Sequence, residues 1–278
     1  MIGQLTGKRS ITLTDDQSVL LTSRWSRQER SLTAGYLESM IRAMELEPHR
    51  QHYRYAHDNP GIDMLLEPFR GTNIYAALPA TIQTSEYVVM GAHYDTGARG
   101  VPGAIDNATG MALIARVLQQ ATELPQRNKN LIVVFLDQEE EELIGSKAFA
   151  KKLQREGKQI HTVHTLDMVG WDSDDNREVE LEMPSDRLEQ LYRKHAKQLG
   201  IPIYTTQINS TDHFSFIQRG FEAVGVSQAY AKRDNSGKKD TPEDVYDLVH
   251  FDYLASTTEL VFQVIADILT SKDSIDES

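Results

Sequence analysis

The chain has 278 residues, 29 basic and 41 acidic, for a formal net charge of −12 at pH 7, with 9 His and no Cys. Without Cys there is no disulfide, thiolate nucleophile or Cys-ligated metal, so any metal must be held by oxygen and imidazole. The acidic balance argues against a nucleic-acid backbone or an anionic membrane as the main partner.

The start, Met1 to Arg9, lacks the apolar segment of a secretory leader. The longest wholly apolar run, Leu131 to Leu136, is far shorter than the ~20 residues that span a bilayer, so no membrane insertion is expected. The expected compartment is the cytoplasm, with periplasm or secretion after loss of a leader as the alternative.

In chain order, Leu32, Tyr36, Leu37, Met40, Ile41 and Met44 fall at helical spacing within 27–46. Asn73 to Leu78 reads as a strand closed by Pro79, and Tyr87 to Ala92 as a buried strand running into His93. Gly110 to Leu118 is an expected helix, and Leu131 to Leu136 the clearest central strand. Thr162 to Leu166 is a further strand, followed by a helix around Arg187–Leu199. Glu222 to Val226 is a late strand and Tyr253–Leu269 a closing helix. The polar, Lys-rich segment 229–244 reads as a surface loop. Strands alternating with helices predict an α/β fold with a mostly parallel central sheet flanked by helices. No composition break divides the chain, so residues 1–278 are expected to form a single domain.

The acids and His cluster after the strands. Three apolar runs end in His93-Tyr94-Asp95, in Asp137-Gln138-Glu139-Glu140 and in Asp167-Met168-Val169-Gly170, while Ile105-Asp106-Asn107 lies on a loop. In an open α/β sheet, ligands bind beyond the carboxyl ends of the strands, where residues distant in sequence converge. A carboxylate leaving a buried strand is costly to leave unpaired, and a divalent cation removes that cost. Helix capping is the competing use of such an Asp or Asn.

These segments, with Gly103-Ala104-Ile105-Asp106-Asn107-Ala108-Thr109-Gly110 and with Glu139-Glu140 followed by Gly145-Ser146, resemble the M28 family of co-catalytic zinc exopeptidases. The family includes bacterial aminopeptidases and, more distantly, glutaminyl cyclases, and the resemblance runs from about residue 30 to about residue 270. It implies a phosphorylase/hydrolase-like fold and a centre of two divalent ions, zinc first of all. His93 and Asp167 would bind one ion, Glu140 the other, and Asp106 would bridge them. Asp95 matches the carboxylate that orients the ligand imidazole. Glu139 matches the general base that takes a proton from a metal-bridging water and passes it to the leaving amine. Neighbouring Glu139 and Glu140 can differ in role because successive side chains on an extended segment point opposite ways. Thr211-Asp212-His213 resembles the family's Ser-Asp-His segment, which places Asp212 and His213 on the substrate side. Tyr230 is a candidate hydroxyl for the tetrahedral intermediate.

One departure bears on the chemistry. Where the family has His in a His-Thr-x-x-Asp motif, this chain has Asp240-Thr241-Pro242-Glu243-Asp244. With Asp240 as ligand, the second site is expected to be weaker for zinc or to accept Mn²⁺, Co²⁺ or Mg²⁺. His250 lies too close to the closing helix to replace it.

The expected function is a metal-dependent exopeptidase, an aminopeptidase acting on peptides, with carboxypeptidase action also open. The alternatives are a glutaminyl cyclase-like acyltransferase and a non-catalytic binding protein whose second site has decayed. The pairs His161/His164 and His49/His52 read as surface or packed residues. The substrate pocket is expected from loops 172–178 and 229–239, and the oligomeric state is not specified by the sequence.

Overall fold

In the computed structural model, residues 1–12, 18–55 and 69–273 are described. The amino-terminal part holds α1 (Ile2–Leu5), the short pair β1 (Ile11–Thr12) and β2 (Ser18–Val19), α2 (Arg27–Ala43), β3 (His49–Tyr55) and β4 (Phe69–Leu78). Then come β5 (Glu86–His93), α3 (Thr109–Thr122), β6 (Asn130–Leu136), α4 (Ile144–Arg155) and β7 (Gln159–Leu166). The remainder is β8 (Val179–Glu182), α5 (Asp186–Leu199), β9 (Ile203–Thr206), α6 (His213–Ile217), β10 (Ala223–Gln228) and α7 (Phe251–Thr270).

Eight strands form one sheet in the order β3-β4-β6-β5-β7-β10-β8-β9. The central four, β6, β5, β7 and β10, are parallel, while β4 and β8 attach antiparallel on either side. This is the expected α/β class. The apolar runs are continuous because both faces of these strands are covered. In β6, Leu131, Val133 and Phe135 point into one core with residues of α2, α3, α5 and α7. Ile132, Val134 and Leu136 point into the opposite core with Phe149, Ala150 and Leu153 of α4 and Phe216 of α6. Each fully buried side chain of this size contributes roughly 1.5–3 kcal/mol of transfer free energy, so strand order and register are strongly fixed.

The topology makes the crevice. From β5 the chain moves to β6 on one side and then to β7 on the other, so β5 lies at the point where the winding changes direction. His93 is the last residue of β5 and pairs with Leu136, the last of β6. Residues 94–96, 137–140 and 167–170 therefore leave the sheet at one edge.

Some elements had no clear sequence signal. Edge strand β3 is polar throughout, β8 carries Glu180 and Glu182 inside the fold, and β9 is four residues long. No helix among the described residues is long and apolar enough to cross a membrane.

Candidate metal centre

Three strand-end or loop residues meet first. His93, Asp106 and Asp167, all buried, offer ligand atoms within 4.8 Å of one another. His93 Nε2 lies 3.0 Å from Asp106 Oδ1 and 3.4 Å from Asp167 Oδ1. On the other edge of the ring, Asp95 Oδ1 is 3.5 Å from His93 Nδ1. Burial works against a charged His93, but the Glu139 charge and contacts with Asp106, Asp167 and Asp95 outweigh it and hold its pKa well above the usual range.

Asp106 sits in an irregular turn, 104–108, whose Asp106–Asn107 peptide is cis. Three buried groups pin that turn. The Asn107 amide donates to Leu166 O at 2.7 Å, tying it to the end of β7, while its carbonyl accepts from Gly110 N. The Asp244 carboxylate accepts from Ile105 N at 2.9 Å and from Asp106 N at 3.1 Å. The guanidinium of fully buried Arg24 donates to the carbonyls of Leu5, Tyr94, Pro102 and Gly103. Burial lowers the Arg24 pKa to about 10, so it stays charged at neutral pH. Arg24 has no sequence signature, and Asp244 is visible only as the last residue of the segment that begins with Asp240.

The acidic segment after β6 is held just as closely. Asp95 accepts from Glu139 N at 3.0 Å and from Glu140 N at 3.3 Å. Besides flanking the imidazole, it therefore fixes the backbone of both glutamates. Asn73 accepts from Asp137 N and donates to Gly145 O, binding the end of β6 to the start of α4. A Cβ on Gly145 would come within 2.0 Å of Asp137 O, which explains a glycine there. Burial, together with the charges of Asp167, Asp212 and Asp106, pushes the Glu139 carboxyl well above the carboxylate range, against the pull of His93.

A second group shares Asp106. Asp106, Glu140 and Asp240 also offer oxygens within 4.8 Å of one another, with burial falling from Asp106 through Glu140 to exposed Asp240. Gly97 makes room, since a Cβ there would meet Asp240 Oδ1 at 2.5 Å and Glu140 Oε2 at 3.1 Å. Burial and the nearby Asp106 charge push Glu140 up to about 8 and also raise Asp240. Beside them Lys239 Nζ lies 2.9 Å from Asp106 Oδ2. Burial alone would raise the Asp106 pKa, but Lys239 and His93 hold it below the ordinary range.

Segment 229–244, expected as a surface loop, thus has a buried end: Asp244 is fully enclosed, and Lys239 and Asp240 reach the acids. A cleft of about 500 Å³ opens here, lined by Glu139, Glu140, Leu143, Asn209, Phe214 and Lys239 among others. Of the two loops expected to build the pocket, 229–239 contributes Lys239, whereas 172–178 does not line this cleft and its place is taken by 209–218.

Asp212 is buried with Oδ1 lacking a hydrogen bond, and burial with the neighbouring Asp167 and Asp95 charges raises it to about 7 despite His93. His213 is enclosed in a separate network, with Nδ1 2.8 Å from Thr211 Oγ1 and Nε2 3.1 Å from Ile208 O. Tyr230 stands 41% exposed on a short 3-10 turn, 230–232. His250 stacks on Trp171 and contacts the Asp172 backbone, so it joins neither group. The discounted histidines are also accounted for. His164 is buried between Tyr192 and Thr162, His161 contacts Arg187, His52 contacts Thr72, and His49 packs against the Tyr75 ring.

The two groups suit a divalent cation. His93 Nδ1 and Glu140 Oε1 are buried without a hydrogen bond, and one imidazole with several carboxylates is a donor set for zinc and harder divalent ions. The sequence model of peptidase family M28 matches residues 73–265. The chain belongs to peptidase family M28. Among relatives of this M28 chain, leucine aminopeptidase 1 of Coccidioides posadasii is 28% identical over 203 residues, covering 66% of this chain and 52% of that protein. The chain spans about half the length of the curated relatives it matches. Among solved structures, a zinc aminopeptidase from Bacillus subtilis gives a TM-score of 0.80 at 14% identity, covering 98% of this chain and 94% of the other. A glutaminyl cyclase from Bacteroides thetaiotaomicron gives 0.72 at 16% identity, covering 89% and 93%. At these identities the likeness shows a shared fold.

Proposed function

We propose that the chain is a metal-dependent aminopeptidase that removes N-terminal residues from peptides, with Glu139 as its general base. The observation that carries this reading is a buried glutamate of raised pKa, fixed by Asp95, lining a cleft beside the His93–Asp106–Asp167 group. Family membership and relatives named leucine aminopeptidase support it.

His93, Asp106 and Asp167 would hold one divalent ion, zinc by donor type, and Asp106, Glu140 and Asp240 a second. Bound there, the ion supplies Lewis acidity toward the scissile carbonyl and the attacking water. Glu139 accepts a proton from that water as its oxygen attacks the carbonyl carbon. It then delivers the proton to the leaving amine as the carbon–nitrogen bond breaks. Asp95 holds the backbone of Glu139 in place for both steps by accepting from its N–H. The relatives named leucine aminopeptidase favour an aminopeptidase over a carboxypeptidase.

Glu139→Gln tests the role. Hydrolysis of aminoacyl anilides is expected to fall by about 100-fold or more with metal content unchanged. Turnover near the wild-type level would refute the assignment.

A further inference from the structure

Asp106 divides its carboxylate between two directions. Oδ1 faces His93 Nε2 at 3.0 Å, inside the buried group, whereas Oδ2 faces Lys239 Nζ at 2.9 Å. The lysine is adjacent in sequence to Asp240, the carboxylate standing where the resemblance places a His. The outer group thus gains an acid and a cation together, with three carboxylates and no imidazole. The Lys239 side chain is 36% exposed and lines the cleft with Glu139 and Glu140, so its ammonium reaches inward from a mobile-length stem with an open path back to solvent.

We propose that Lys239 is a built-in cation of the outer site, competing with the second divalent ion and leaving the centre with one tightly held ion. The inference rests on the metal-centre reading above and deepens it. A protonated lysine has three donors and no lone pair, so it cannot ligate a metal. It can only take up the oxygen that a metal would use. A divalent ion bound to Asp106 Oδ2 would also stand within a few ångströms of the ammonium, where like charges at a partly buried site repel strongly. A second ion enters only when the lysine swings toward solvent. Neutralising part of the negative charge of Asp106, Glu140 and Asp240 is the electrostatic work that the second ion would otherwise do.

Zinc titration by calorimetry, with metal analysis of the same samples, tests this on the wild-type protein, Lys239→Met and Lys239→Arg. Wild type is expected to bind one equivalent tightly and a second at least about tenfold more weakly. Lys239→Met, which keeps the stem and removes the charge, is expected to tighten the second ion by about tenfold or more and leave the first unchanged. Lys239→Arg is expected to keep the wild-type pattern. Two equally tight ions in wild type, or an unchanged second affinity in Lys239→Met, would overturn the inference while leaving the metal centre standing. Absence of binding in all three proteins would overturn the metal centre and the inference with it.

Discussion

The inner and outer groups share Asp106 and contrast in their other members. The inner one takes His93 and Asp167 from the ends of adjacent parallel strands, is fully buried and contains an imidazole. The outer one takes Glu140 and Asp240 from segments beyond the strands, opens to the cleft, and has only carboxylates beside a lysine. The sheet register places the first group, so its geometry changes only if the core does. Loop 229–244 places much of the second, which leaves it free to vary in ligand type and charge.

The largest expected effect breaks the inner half. His93→Ala removes the only imidazole in either group and is expected to weaken the first ion beyond the ~10–100-fold typical of losing a supporting residue. Equilibrium dialysis against zinc measures this, and an unchanged first affinity would place that ion elsewhere. Asp244→Asn acts on the turn common to both halves, because its carboxylate accepts from the N–H groups of Ile105 and Asp106. Both ions are then expected to weaken together, by about tenfold to 100-fold, in the same assay. Asp240→His gives the outer half an imidazole and is expected to tighten its zinc by about tenfold, with the inner ion unaffected. A change at the inner ion instead would erase the distinction between the halves.

The smallest effect separates the centre from the rest of the sheet. His164 is as buried as His93, but it contacts Tyr192 and Thr162, and burial lowers its pKa to about 3. The unfolded chain therefore binds a proton that the folded one refuses as pH falls below about 6.5, the ordinary value for His. Stability from the neutral ring is complete above that pH and declines below it. Between about pH 7 and about pH 5.5 the loss from this residue is about 1 kcal/mol. Urea unfolding of His164→Gln at the two pH values should show a correspondingly smaller loss than wild type.

The sequence made the rigid half legible and the adjustable half only in part. Continuous apolar runs identify β5 and β6 because strands covered on both faces need no polar alternation, and β-branched Thr162, Val163 and Thr165 mark β7. Residues that follow such runs must then share one edge, which is how His93, Glu139, Glu140 and Asp167 are found. Edge strand β3, His49-Arg50-Gln51-His52-Tyr53-Arg54-Tyr55, carries no such run and gives no strand signal. Glu180 and Glu182 hide β8, because buried acids in a strand depend on partners such as Tyr204 and Thr211 that lie elsewhere in the chain. Arg24 likewise looks like any surface arginine until the carbonyls of Leu5, Tyr94, Pro102 and Gly103 surround it. Lys239 sits in a Lys-rich stretch whose composition suggests solvent, and only the path of the loop turns its charge inward.

The activity proposed for this centre is hydrolysis of a peptide bond next to a free amino terminus. Its most direct test is a panel of aminoacyl anilides, each with a free and an acetylated amino group, assayed with the zinc-reconstituted protein and with the same protein after chelation. The expected result is hydrolysis of the free-amine substrates only, lost on chelation and restored by metal. Tight zinc binding with no hydrolysis of any substrate would contradict that activity, as would cyclisation of an N-terminal glutaminyl peptide as the sole reaction.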